Sequence, residues 1–535
     1  MMPRSRIVGP QALRAMIMDG AELALLDVRE QGVFGRGHLL LATCVPLSRL
    51  ELMIEDLVPR RSVRVVLCDG GEGLAERAAA RLADLGYSDV VCLEGGIEGW
   101  HGAGYQLFSG VNVPSKAFGE LIEERCHTPR LTAAELAAKL ERGEDLVILD
   151  SRPWDEYHRM NIPTGIDTPG AELVYRVHDL APSPERLVVV NCAGRTRSII
   201  GAQSLINAGI PNPVMALKDG TMGWHLAGLA VEKGAARRAP EPSAEGLARA
   251  KAAAARVADR FGVRSIDDRE LAVWRAEADR RSLYLLDVRS PEEYAAGHLR
   301  GSRSAPGGQL VQATDEYVGV RNARLVLIDD AGVRATMTAS WLLQMGWPEV
   351  RVLAGGLTGA PLETGWPRPM PSALKSVDVE EIDPAVLNEA GMNGIVVVDF
   401  ADSLTYRAGH VPGAWFMVRS RIAEDVANLP AAERYVATSP DGRLARLAAA
   451  DLAPVVGRPV LALRGGTAAW RAAELLLVQG NENLASATDD VMYKPYDHER
   501  GIEGFMRDYL AWEVDLVRQI EADGTANFRI VTPDA

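Results

Sequence analysis

Four segments of this chain spell one pattern: a short apolar run ending in Asp, then an aromatic residue, usually a His, and a small loop. LALLDVREQGVFGRGHL carries Asp27, Arg29, Phe34 and His38. LVILDSRPWDEYHRMNIP carries Asp150, Arg152, Tyr157 and, in the His position, Asn161. LYLLDVRSPEEYAAGHL carries Asp287, Arg289, Tyr294 and His298, and IVVVDFADSLTYRAGHVPGA carries Asp399, Ala401, Tyr406 and His410. The four Asp residues lie more than about 100 residues apart, too far for a solenoid repeat and the size of a small domain. Downstream of each comes a second apolar run, starting at Val63, Arg186, Arg324 and Tyr435, followed by a short loop and an Ala-rich helical stretch. A third run leads into a Gly pair or near-pair and ends at Trp100, Trp224, Ala360 and Trp470. Apolar runs alternating with helical patterns read as β-α units around a parallel sheet covered on both faces. An amphipathic helix opens each repeat; in the second, Thr132 and Glu135 have capping-box spacing.

The length of 535 residues suits several domains of about 100–200 residues each. Acidic residues outnumber basic ones, 72 to 58, and the net charge of −14 disfavours nucleic acid and anionic membranes as partners. Five cysteines do not make a disulfide framework, so a reducing cytoplasm is expected. No apolar run approaches the roughly 20 residues of a membrane span, and the N-terminal stretch lacks the apolar core of a secretory signal.

Composition shifts set the expected boundaries: repeats over 1–112, 113–235, 255–370 and 371–480, and a helical extension over 481–535. The Pro- and Ala-rich stretch 233–244 and the helix after it read as a connector between the second and third repeats. In the extension, Ile502, Phe505, Met506, Leu510, Val514 and Val517 fall near helical spacing, which predicts a docked helix.

Chemistry in a parallel sheet belongs outside the C-terminal strand ends, where loops meet helix N-termini. After the second run, the second repeat offers Cys192, Ala193, Gly194, Arg195, Thr196, Arg197 and Ser198. The matching position is Asp329 in the third repeat and Ser439 in the fourth. In the first it is Cys68 or Asp69, depending on a one-residue gap. Successive N–H groups, a helix dipole and two arginines should lower the Cys192 pKa and hold an anion. Asp329 cannot carry sulfur, Ser439 is a weak nucleophile with no His beside it, and Cys68 has acidic neighbours and no loop Arg. Glu172 and Arg176 are candidates to reach the Cys192 mouth. The Asp-x-Arg pairs read as structural ion pairs. Cys44, Cys92 and Cys126 form no metal set.

The Asp-x-Arg, aromatic and His pattern, the Cys-led loop and the Gly-Gly-x-x-x-Trp ending resemble the rhodanese family. The resemblance covers all four repeats and implies an α/β chain of four tandem rhodanese-like domains. Each would be a five-stranded parallel sheet flanked by helices, with a helical C-terminal tail. It further implies a thiosulfate sulfurtransferase in which the cysteine carries sulfane sulfur as a persulfide and passes it to cyanide or a thiol. That role falls on Cys192, with Ala193 to Ser198 binding substrate, the loop N–H groups and Arg197 holding the sulfur charge, and Arg195 orienting the donor. Asn161, where the family has His, counts against catalytic use of that position. No cofactor or metal is expected, because sulfur itself rides on the protein. The expected partners are a small anionic sulfur donor and a thiophilic acceptor, which includes a protein thiol in a second reading as a sulfur relay docking through inactive repeats. Related phosphatases place five residues between Cys and Arg; the four between Cys192 and Arg197 argue against a phosphatase or arsenate reductase.

Overall fold

The computed structural model describes residues 6–367, 369–391 and 393–532. All four repeats fold into five-stranded sheets with one spatial order: first, fifth, fourth, second and third strand. In the second repeat the strands are Arg130–Leu131, Leu146–Asp150, Ile166–Asp167, Leu187–Asn191 and Val214–Leu217. They pair in parallel. The central runs are buried almost throughout, because helices cover both sheet faces and leave no polar side. No helix among the described residues is long and apolar enough to cross a membrane.

The recurring residues hold the frame. Arg29, Arg152 and Arg289 each donate from Nε and Nη2 to both oxygens of the Asp two residues earlier. Each also reaches a loop carbonyl eight residues on, at Gly37, Met160 and Gly297. A bidentate pair inside a dry strand end fixes the loop direction. The fourth repeat has Ala401 in place of Arg, and Asp399 keeps only the Ala401 N–H. His38, His298 and His410 stack on the aromatic residue four positions earlier. Asn161 does the same bracing without a ring: its amide donates to the Tyr157 carbonyl, and its backbone pairs with Glu232. Trp100, Trp224 and Trp470 each donate an indole N–H to the carbonyl six residues on. Thr132 and Glu135 form the capping box that their spacing predicts.

The chain divides into two compact units. One holds residues 1–13, 24–111 and 368–493, and so the first and fourth repeats. Within it, buried Arg419 donates to both oxygens of Glu51 and to Asp451, and Glu30 accepts from Ser48 and Ser420. The other holds residues 14–23, 112–367 and 494–535, with the second and third repeats and the tail. Here the presumed connector is a helix, Ala244–Phe261, whose Ala250, Ala253, Ala254 and Val257 lie in one core with Leu173, Val174, Val333 and Met337. Small side chains let helix axes approach closely, so this segment is core rather than tether.

The tail carries the helix that its apolar spacing predicts. Its helix runs only from Ile502 to Asp523; the stretch before it is irregular apart from a short turn at Pro495–Asp497. The docked face also differs. Phe505 and Val514 are exposed, at 42% and 52%, whereas Met506, Glu513, Leu516 and Ile520 are buried. The seam therefore follows 506, 509, 513, 516 and 520, a strict alternation of three and four residues that admits a carboxylate.

Burial without an Arg pushes Asp399 up to about 6, with Asp402 adding to the rise. The folded state thus holds this proton more tightly than the unfolded chain, and stability falls as pH climbs from about 4 to about 6. Asp399→Asn removes that penalty. It should stabilise the first unit by on the order of 2–3 kcal/mol at pH 7 and by little below pH 4, as read by denaturant unfolding.

Candidate functional site

Strand register settles which residue in each repeat stands at the loop entrance. Asp150 pairs with Asn191 across the two central strands. The equivalent pairs are Asp27 with Cys68, Asp287 with Ile328 and Asp399 with Thr438. Cys68 therefore matches Asn191, and Asp69 matches Cys192, Asp329 and Ser439. Cys68 is fully buried with its thiol directed at the Leu26 carbonyl, and burial beside Asp27 drives its pKa well up. The first-repeat helix starts at Leu74, five residues after Asp69, against four in the other repeats. That extra residue is the one-residue gap.

The four loops differ in what fills the ring of N–H groups at the helix start. Asp69 accepts from Gly71 and Ala75. Asp329 accepts from Gly332, Arg334 and Ala335. Ser439 accepts from Ala445, and Asp441 takes the Arg443 N–H. Three repeats thus plug the cradle with their own side chains. Around Cys192 the loop offers no such acceptor among the described residues; the Ser198 N–H and hydroxyl lie close enough to favour the thiolate. The N–H groups of Ala193, Gly194, Arg195, Thr196 and Arg197 meet no protein acceptor among the described residues. The backbone path differs too. Left-handed glycines Gly73, Gly332 and Gly442 precede the helices of the plugged loops, whereas Arg195 holds that place at φ −119.

A polar network anchors the entrance. Asn191 donates to Asp150 and Thr221, and Thr221 donates from its backbone and hydroxyl to the Cys192 carbonyl. The Cys192 thiol is directed at Ser198 Oγ, 3.5 Å away, and the residue is 2% exposed.

The two loop arginines are not the unpaired charges that the sequence suggests. Arg195 is buried and donates to Glu120, Glu123 and Asp219, with N···O distances of 2.6–3.1 Å. It braces the loop against the helix Val113–Cys126. Arg197 donates to both oxygens of Glu156, at 2.8 and 3.1 Å, and to Gln309 of the third repeat at 3.2 Å. Arg197 and its neighbours hold Glu156 down at about 2. The third repeat keeps the same pair as Arg334 with Glu293, so this ion pair is partly scaffold. Glu172 and Arg176 do not reach the mouth: they bind each other, Glu172 also takes Arg334, and Arg176 also takes Glu241.

Burial consequently raises the Cys192 pKa above the ordinary thiol value, although Arg197 and Ser198 pull it down. The expected depression is overturned because desolvation acts on the whole charge, while Arg197 is shared with Glu156.

The tail completes the site, and sequence reading did not foresee this. Ala193, Met222 and Met506 form an apolar cluster joined by Tyr496, Ile502, Tyr509 and Leu510. Tyr509 donates to Glu513 Oε1 at 3.0 Å, and the Thr196 hydroxyl donates to the same oxygen at 3.3 Å. Gly194 is closely covered by the tail: a Cβ there would sit 3.1 Å from Glu513 Oε2 and 3.2 Å from the Tyr509 ring, so either side chain would have to shift by a few tenths of an ångström. Lys116 lies over the rings of Tyr509 and Trp512, at 5.4 and 4.9 Å. Two signals were present in the sequence: Glu156 and Glu293 recur at one repeat position, and Glu513 interrupts an otherwise apolar seam.

Comparison with known proteins agrees with the repeated fold. A family model described as the rhodanese-like domain matches residues 9–103, 132–227 and 270–360, just over half of the chain. The crystal structure of a thiosulfate sulfurtransferase from Pseudomonas aeruginosa is 51% identical, with a TM-score of 0.94, and the alignment covers 98% of this chain and 100% of that one. An HTH-type transcriptional regulator of Mycobacterium tuberculosis is 36% identical over 105 residues, which is 20% of this chain and 45% of the regulator's own length.

Alkylation of Cys192 by iodoacetamide should accelerate only as pH passes the ordinary thiol range, and Arg197→Met should move that rise to higher pH. A rate already at its plateau at neutral pH would contradict the balance of burial over Arg197.

Proposed function

The chain belongs to the rhodanese family, and we propose that it is a sulfurtransferase in which Cys192 alone carries the sulfur. The observation that carries this reading is the unplugged cradle around Cys192 beside three plugged ones. A persulfide adds a second sulfur, and its negative charge needs several donors converging from one side. The N–H groups of Ala193 to Arg197, the Ser198 N–H and the helix dipole provide them, with Arg197 as the nearby full charge. Arg195 holds the loop in place through its three carboxylates.

Thiosulfate is the donor that the site suits best, and the name of the Pseudomonas relative points the same way. The Cys192 thiolate attacks the outer sulfur of thiosulfate. A new S–S bond forms, the S–S bond of the donor breaks, and sulfite leaves with the electron pair. Cyanide or a thiolate then attacks the terminal sulfur of the persulfide, takes it, and returns Cys192 as thiolate. The raised thiol pKa makes donor binding and deprotonation interdependent, since an ionised Cys192 and an anionic donor compete for the same N–H groups. A protein thiol as acceptor is the second reading. The tail over Ala193 disfavours it, because a protein partner would have to displace Met506 and Tyr509. Four residues between Cys192 and Arg197 make a cradle that suits sulfur better than phosphate.

Thiosulfate-dependent thiocyanate formation should vanish in Cys192→Ser and persist unchanged in Cys68→Ser. Thiosulfate treatment should add the mass of one sulfur atom to the Cys192 peptide alone. Vigorous p-nitrophenyl phosphate hydrolysis without sulfur transfer would overturn the reading.

A further inference from the structure

The tail helix buries two carboxylates, Glu513 and Asp523; Glu513, the one against the Cys192 loop, is 1% exposed. Its Oε1 accepts from Tyr509 and Thr196. Its Oε2 has no partner among the described residues and points toward Gly194, in the middle of the cradle. A buried carboxylate oxygen left without a donor is costly, and a negative charge beside an anion cradle works against the cradle's purpose. Both costs disappear if the carboxyl is protonated and its O–H finds an acceptor in the site.

The charged surroundings permit either form. Lys116 and Glu120 face Glu513 from the helix Val113–Cys126, Arg195 faces it from the loop, and Tyr509 from its own helix. Cys192 also feels its charge. Lys116 is itself shared among Glu513, Asp315 and the two aromatic rings, and burial holds it down at about 8. Burial lifts Glu513 to about 7, with Glu120 adding to the rise and Lys116, Tyr509 and Arg195 opposing it.

We propose that Glu513 is a substrate-binding residue of the Cys192 site, whose neutral carboxyl donates from Oε2 to the anionic end of the sulfur donor, so that each donor anion enters with one proton. The proposal rests on the sulfurtransferase reading and adds a requirement to it. The donor must present a hydrogen-bond acceptor beside its sulfane sulfur, as the sulfonate oxygens of thiosulfate do. The tail then supplies part of the binding site, and an ionised Glu513 repels the donor.

Thiosulfate binding to the Cys192→Ser protein, followed by calorimetry from pH 6 to pH 8, tests this without turnover. Affinity should fall about tenfold over that range as a single group near neutrality ionises. The Cys192→Ser, Glu513→Gln protein should bind at every pH as tightly as the parent does at pH 6, because the Gln amide donates permanently. Lys116→Met in the Cys192→Ser background should shift the fall to higher pH, since it removes the cation that favours the ionised carboxylate. Parallel pH profiles with and without Glu513→Gln, or no shift with Lys116→Met, would overturn the proposal. The same thiosulfate treatment of proteins that retain Cys192 separates the two levels. Persulfide on Cys192 with pH-independent binding removes only the role of Glu513. No binding and no persulfide at any pH removes the sulfurtransferase reading and this proposal together.

Discussion

A helix that starts inside a protein leaves its first N–H groups without intrahelical partners, and they need an acceptor. In this chain that demand arises four times at one place, where the fourth strand of each sheet turns into a helix. Asp69, Asp329 and Ser439 with Asp441 meet it with side-chain oxygens and turn the cradle into an ordinary helix cap. Cys192 offers a sulfur instead, and the N–H groups of Ala193 to Arg197 meet no protein acceptor among the described residues. The repeats thus differ in what satisfies the backbone at this turn.

An open ring of donors is an unstable thing to bury, and the second repeat holds it open with an unusual amount of outside support. Arg195 is clamped by Glu120 and Glu123 of the helix Val113–Cys126 and by Asp219, which ties the loop to its surroundings. Arg197 is held by Glu156 and by Gln309 of the third repeat, so a neighbouring repeat also shapes this loop. The tail helix lays Met506, Tyr509 and Glu513 against the loop and buries it. Excluding water strengthens every hydrogen bond to the cradle, and it also explains why the Cys192 thiol is harder to ionise than its basic neighbours suggest.

Repeat comparison made the fold readable. The Asp-x-Arg pairs, the aromatic–His stacks and the Gly-Gly-x-x-x-Trp endings are local features with fixed spacing, and each has one bonding pattern wherever it recurs. Cys192 was readable for the same reason, as the exception among equivalent positions. The partners of Arg195 and Arg197 were not legible, because a sequence shows a charge but not what neutralises it. Glu120 and Glu123 lie more than 70 residues before Arg195, and Gln309 lies 112 residues after Arg197. The tail misled in a similar way: hydrophobicity selected Phe505 and Val514, whereas packing buried Glu513 instead.

The sequence by itself determined four copies of one parallel α/β unit and a single cysteine at the loop position that the other repeats fill with Asp or Ser, because strand periodicity, loop length and residue identity are local properties of the chain. The tertiary structure alone decided that Cys68 is equivalent to Asn191, that both loop arginines are paired, and that Lys116 and Glu513 from distant segments meet at the Cys192 loop. Those outcomes depend on strand register and helix docking, which bring together residues hundreds of positions apart, and no local spacing records them.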